Sequence, residues 1–233
     1  YHVLKAKNGI EALQVIEDND IDIVVSDVMM PLMNGLELCA KIKNNIEYSH
    51  IPVILLTAKV LPEAKVEGFS YGADAYVEKP FTILQLHMQI RNLLKLRTTF
   101  QQHMTSFLPD AKPEEKEEEE ETGIQLTPQD QEFIKKMQEI IEQQLADESF
   151  SIDTLAAEMN MSRSNFYRKL KALSGMPPND YLKNCRLNKA AQLLKEGYRV
   201  TEVFERTGFG SSSYFAKCFK AKFGVLPKDY ISN

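Results

Sequence analysis

Apolar positions along the first hundred residues change period several times. YHVLKA, DIVVSD, IPVILLTA and ADAYVEKP are short β-type runs, and NGIEALQVIEDN and NGLELCAKIKNN between them follow a helical spacing. A further helical stretch runs through Val66, and ILQLHMQIRNLLKL forms a long amphipathic run near the end of this half. The runs Ile23-Val24-Val25 and Val53-Ile54-Leu55-Leu56 carry no polar alternation. Strands of that kind are covered by helices on both faces, which predicts a parallel βαβ architecture.

The last hundred residues are helical throughout and contain a repeat. IDTLAAEMNMS from Ile152 matches VTEVFERTGFG from Val200, and SNFYRKLKALSGMPPNDY from Ser164 matches SYFAKCFKAKFGVLPKDY from Ser213. Phe166 and Phe215, Leu170 and Phe219, Gly175 and Gly224, and Pro178 and Pro227 fall in register, so this is a duplicated unit. Each copy reads as a short helix, a tight turn and a second helix opened by serine, Ser162 in one and Ser211 or Ser212 in the other. Gly175 and Gly224 stand where those second helices stop. A helix-turn-helix of this size is the unit that lays its second helix in a DNA major groove. YLKNCRLNKAAQLLKEG has the pattern of a helix bridging the two copies.

Charge separates the segments. Residues 1–109 hold 10 Lys and Arg against 12 Asp and Glu, residues 110–121 hold 2 against 8, and the chain from Ser151 onward holds 14 against 7. Only the last segment favours nucleic acid. The run DAKPEEKEEEEETG has no apolar anchor and reads as a solvated linker over 110–123, between a domain at 1–109 and one at 124–233. Cys39, Cys185 and Cys218 form no CxxC and read as small core residues of a reducing compartment. The four scattered histidines suggest neither a metal cluster nor a triad. Nothing reads as a membrane span, so a cytoplasmic protein without direct membrane contact is expected. The chain starts at Tyr1 on a strand-like stretch, which suggests that the natural protein continues upstream.

Candidate chemistry falls in two places. Asp27 closes an apolar strand just before a Met-Met-Pro turn. In the second helices, Arg163, Ser164, Asn165, Arg168 and Lys169 of the first copy and Ser212, Ser213, Tyr214, Lys217 and Lys220 of the second have the chemistry that phosphate and base contacts require.

With these residues in view, the C-terminal hundred resembles the AraC-type DNA-binding domain through GFGSSSYFAKCFKAKFGVLPKDY. The N-terminal part resembles the receiver domain of two-component response regulators, matching SDVMMPLMNG, LLTA and VEKPF in order. The pair is similar to the C-terminal end of hybrid two-component regulators, in which a membrane sensor, a histidine kinase and a transcription factor share one polypeptide. The fold this implies is α/β, a flavodoxin-like receiver lacking its first strand and helix, joined to an all-α domain with two helix-turn-helix units.

The resemblance also implies roles. Asp27 would be the phosphoacceptor, and a magnesium ion would be held by Asp27 and the backbone carbonyl of Met29. Thr57, Lys79 and the Ala58 N–H would hold phosphoryl oxygens, Lys79-Pro80 would be a cis peptide, and Tyr76 would be the switch aromatic. The acidic pair of the family's first strand, which supplies the remaining magnesium ligands, is absent here. That absence should open the edges of YHVLKA and DIVVSD, leaving a gap that another copy fills, giving a homodimer or strand-exchanged oligomer, or that closes in a non-native way, or that loosens the receiver; in each case inefficient phosphate acceptance is expected. A cognate histidine kinase and two DNA elements about one turn apart are the partners the resemblance implies.

Two other readings compete with this one. An aspartyl phosphatase of the dehalogenase type needs a second acid two residues after its nucleophile, and position 29 is methionine, so no enzyme is expected in this chain. A second alternative is a protein–protein interaction module whose helical repeat binds a protein partner.

Overall fold

The computed structural model describes residues 1–58, 72–106 and 126–230. The linker expected at 110–123 and the helical stretch expected through Val66 lie outside them. The chain divides into two compact units, one around Tyr1–Thr99 and the other around Phe133–Asn233.

In the first unit, α1 (Gly9–Asp18) leads to β1 (Val24–Asp27), α2 (Gly35–Asn44), β2 (Val53–Thr57), β3 (Ala75–Glu78) and α3 (Ile83–Ser106). Asparagine starts both α1 and α2. The Asn8 side chain accepts from the Glu11 N–H, and Asn34 forms a reciprocal capping box with Glu37. The three strands are parallel in the order β1-β2-β3, with Val24 beside Val53 and Ile54 beside Ala75. β2 is central, and Val53, Ile54 and Leu55 are fully buried there. Ile16, Leu38, Cys39 and Ile42 from α1 and α2 pack over Val53 and Leu55.

Two expectations need correction. YHVLKA is not a strand: residues 1–6 are exposed and outside the sheet. Ile23-Val24-Val25 is not covered on both faces, since Val25 is 38% exposed. The reason is shared. Among the described residues β1 pairs with β2 alone, and a cavity of about 750 Å³ opens beside it, lined by Val3, Leu4, Val24, Val25, Asp27 and Met30 among others. Without a ladder to join, an extended apolar run has no partners for its backbone groups.

Lys43 and Asp74 pin the far end of β2. The Lys43 ammonium lies 2.7 Å from Asp74 and donates to the Ile51 carbonyl at 3.0 Å, while Asp74 accepts from the Val53 N–H at 2.7 Å. The sequence shows this only as a lysine on the apolar stripe of α2, four residues after Cys39.

In the second unit, α4 (Pro128–Gln144) precedes α5 (Ile152–Glu158), α6 (Arg163–Ser174), α7 (Pro178–Lys195), α8 (Val200–Glu205) and α9 (Ser212–Phe223), and a 3₁₀ turn covers Pro227–Asp229. The duplication holds in three dimensions. Ser162 caps α6 and Ser211, rather than Ser212, caps α9, each accepting from the backbone N–H three residues on. Gly175 and Gly224 end those helices in the left-handed conformation, at φ +72° and +81°. Phe166 and Leu170 are fully buried, and so are their counterparts Phe215 and Phe219. The bridging helix α7 gives Leu187, Ala190, Ala191 and Leu194 to a core completed by Val203, Phe209, Phe215 and Phe219.

Cys39 and Cys185 are buried, and burial pushes their thiols up to about 11 and about 12. Thiols of that kind are inert at neutral pH. Among the described residues, no helix is long and apolar enough to cross a membrane.

Candidate functional site

Parallel strands leave their carboxyl ends on one edge of the sheet, and that is where the first unit gathers its polar groups. Asp27 closes β1, Thr57 closes β2, and Lys79 follows β3 directly. Backbone bonds hold the three loops in register: Val28 N–H donates to the Leu56 carbonyl at 3.0 Å, and Lys79 N–H donates to the Thr57 carbonyl at 2.7 Å. The Lys79-Pro80 peptide is cis.

Lys79 forms a short ion pair with one oxygen of Asp27, and the other oxygen accepts from the Met29 N–H at 3.2 Å. The ammonium, followed by the Met29 and Val28 N–H groups, holds the Asp27 carboxyl below the usual carboxylate range against the opposing effect of its burial. Tyr76 is half-buried against the core under β2, and its phenol is pushed up to about 12, chiefly by burial. Asp27, Thr57 and Lys79 thus lie at the carboxyl ends of neighbouring strands, and Tyr76 lies within β3, three residues before Lys79.

Gly35 carries a constraint that the motif alone did not reveal. A Cβ there would lie 2.1 Å from the Asp27 carbonyl oxygen, so the start of α2 rests directly on the backbone of the candidate acceptor. The Gly35 N–H also donates to the Val28 carbonyl at 3.0 Å.

The donor set for a magnesium ion is incomplete. Among the described residues, no three His, Cys, Asp or Glu side chains converge on one point, and Asp27 alone offers a carboxylate beside the Met29 backbone. Such a set does not fit a hard cation that wants several oxygens around it.

The Asp27–Lys79 pair has a pH signature. Its folded-state carboxyl is depressed, so its contribution is present above the unfolded value of about 3.9 and is lost as pH falls through the lower folded value. Both side chains are 38% exposed, so solvent screening keeps the contribution under about 1 kcal/mol. Urea titrations of the wild type and Asp27→Asn are expected to differ at pH 7 and to converge as pH falls below the unfolded value of about 3.9.

In the second unit the candidate contact residues divide. Arg163, Ser164, Ser212, Ser213, Tyr214, Lys217 and Lys220 are exposed, and Asn165 and Arg168 are half-exposed. Arg168 donates to the Asn165 side chain, and Arg163 lies 3.0 Å from Asp153 in an exposed ion pair.

Lys169 corrects the sequence reading. It is fully buried, with its ammonium 5.0 Å from the centre of the Phe133 ring, so it faces the core of the first motif. Helical geometry explains the difference: Lys169 falls three residues after Phe166, on the same inward face, while Lys171 points outward. Sequence reading also passed over Arg186 on α7, whose Nη2 donates to the carbonyls of Asp147 and Phe150 at 2.9 and 3.0 Å.

Comparison with known proteins agrees with the layout. The response regulator receiver domain model matches residues 1–91, and a helix-turn-helix domain model matches residues 155–233. A histidine kinase of Formosa agariphila is 36% identical over 231 residues, 99% of this chain and 16% of that protein. The transcriptional regulatory protein YvrH of Bacillus subtilis is 42% identical over 105 residues, 45% of this chain and 42% of its own length. The chain thus spans a sixth to under half of the curated relatives it matches. Among solved structures, the C-terminal domain of the response regulator yesN from Fusobacterium nucleatum aligns with a TM-score of 0.41 at 30% identity, covering 43% of this chain and 98% of that one. The receiver domain of a signal transduction histidine kinase from Syntrophus aciditrophicus aligns with a TM-score of 0.39 at 35% identity, covering 41% of this chain and 72% of that one. By these matches, the chain carries a response regulator receiver domain over residues 1–91 followed by an AraC-type helix-turn-helix domain over residues 155–233.

Proposed function

We propose that the chain acts as a phosphorylation-regulated, sequence-specific DNA-binding transcription regulator of a two-component phosphorelay. The observation that carries this reading is the paired presentation of α6 and α9. Two equivalent helices, each capped by serine, expose Arg163 and Ser164 on one and Ser212, Ser213, Tyr214, Lys217 and Lys220 on the other. Arginine can pair with guanine edges, while lysines and helix N-termini suit phosphates. Two such helices in successive major grooves would read elements about one turn apart.

In the receiver, Asp27 is the proposed phosphoacceptor, Lys79 and Thr57 the groups that receive phosphoryl oxygens, and Tyr76 the aromatic that follows Thr57. Lys79 already neutralises the Asp27 carboxylate, which favours the approach of an anionic phosphodonor. Magnesium belongs to this chemistry in receivers generally, but Asp27 and the Met29 carbonyl do not complete a site for it. The proposed partners are DNA and a histidine kinase, and the proposed location is the cytoplasm. No catalytic turnover is assigned to the chain.

A random-duplex binding selection tests the reading. Two short elements about 10 base pairs apart are expected to enrich, with affinity falling steeply as salt rises. A folded protein that enriches no sequence would instead favour the reading in which the helical repeat binds a protein.

A further inference from the structure

The turn of the second helix-turn-helix carries a glycine that its backbone conformation alone does not demand. Gly208 has φ +64°, and its counterpart in the first motif, 48 residues earlier, is Asn160 at φ +55°. Asparagine visits the left-handed region readily, so this turn can be made without glycine, and the first motif makes it so. Space distinguishes the two positions. A Cβ on Gly208 would lie 2.4 Å from the Leu145 carbonyl oxygen and 3.0 Å from both the Asp147 carbonyl oxygen and Arg186 Nη2. Two of those neighbours are backbone and cannot step aside.

Leu145 and Asp147 belong to the turn between α4 and α5, which leads into the first motif. That turn is stiff: the Asp147 N–H donates to Gln144, the Phe150 N–H donates to the Asp147 carbonyl, and the Asp147 carboxylate accepts from both the N–H and the hydroxyl of Ser149. Arg186 comes from the bridging helix α7, and its Nη2 clamps the carbonyls of Asp147 and Phe150. Its buried Nε has no hydrogen-bond partner among the described residues, so the guanidinium is held there at some cost in solvation. Three segments, the turn that leads into the first motif, the turn of the second motif and the helix between the motifs, therefore meet at Gly208.

We infer that Gly208 and Arg186 are specificity-determining positioning residues, which seat the second motif against the approach to the first and so set the spacing at which the two recognition helices read DNA. The inference rests on the two-element reading proposed above. A seat of this kind joins α6 and α9 into one rigid reader; without it each helix would still dock, but at no fixed separation.

The test compares spacings. Duplexes carrying the two selected elements at the best separation, or displaced by about 5 base pairs, half a turn, are titrated with the full chain, alongside a duplex carrying the first element alone. The wild type is expected to prefer the best spacing by about tenfold or more, equivalent to one decade in Kd. Gly208→Asn keeps the turn conformation that Asn160 uses but intrudes on the seat. It is expected to reduce the preference to about twofold while single-element affinity stays within about twofold, and Asn160→Gly, the reciprocal control, is expected to keep the preference.

If Gly208→Asn shows no cooperative thermal transition, Arg186→Lys, which retains the charge and loses the two-carbonyl clamp, is read in its place with the same expectation. A folded variant that keeps the full spacing preference overturns the inference, as does one that loses single-element and two-element affinity equally. A wild type that reads two elements with no preferred spacing overturns the inference and leaves the two-element reading standing. A wild type that selects no pair of elements removes the two-element reading and the inference with it.

Discussion

Replacing Phe215 by alanine is expected to destabilise the C-terminal unit by about 3–5 kcal/mol, the ordinary cost of a phenylalanine deleted from a packed core. Phe215 is 2% exposed and meets Phe204, Phe209 and Phe219 with ring centres 6.2, 5.2 and 5.7 Å away. Those contacts join α8, the turn after it and α9, so no single helix can move to fill the void. Aromatic pairs at these separations add about 0.5–1.5 kcal/mol each beyond the area they bury. The loss rivals the whole stability of a small domain, about 5–15 kcal/mol. Calorimetry should show the transition of the helical unit falling by well over ten degrees or disappearing. Lys217→Ala, on the exposed side of the same helix, is the matched control and should leave the transition within about 0.5 kcal/mol of wild type. Equal behaviour of the two variants would mean that Phe215 is not the keystone of the second motif.

The second large effect concerns DNA. Arg163→Ala combined with Lys217→Ala removes one exposed cation from each recognition helix, near the capped start of α6 and midway along α9. An arginine that reads a base is worth about 1–3 kcal/mol, and a lysine on a phosphate changes the salt dependence by about one unit of slope. The double variant is therefore expected to bind the selected duplex about 30- to 1000-fold more weakly, with a shallower dependence on salt. Arg163 pairs with Asp153 in the free protein, and contact with DNA must replace that exposed pair, which is worth little. Unchanged affinity and slope in a folded double variant would exclude α6 and α9 as the contacting surface.

Lys169 shows why the full set of basic residues could not be read from one helix alone. In the string RSNFYRKLK the cations at 163, 168, 169 and 171 look interchangeable. Which of them face solvent depends on how the helix is rotated over its core, and Phe133, thirty-six residues upstream of Lys169, takes part in setting that rotation. Arg186 and Gly208 were missed for a related reason: their partners at 145, 147 and 150 lie far away in sequence.

The sequence by itself determined much of the local order. The change of apolar period set out the described strands and helices from Asn8 onward, the 48-residue repeat gave the twofold helical architecture, and Ser162, Gly175 and Gly224 marked helix ends where the structure has them. Each of these signals acts within a few residues, through caps, backbone conformation and the side chain's periodic facing, so a linear reading can find it. Only the tertiary structure decided whether YHVLKA joins the sheet, which cation of α6 is buried, and why Gly208 is glycine where the first motif has asparagine. A strand exists only beside a neighbour, burial is settled by what packs on top, and a forbidden Cβ is forbidden by an atom from a distant turn.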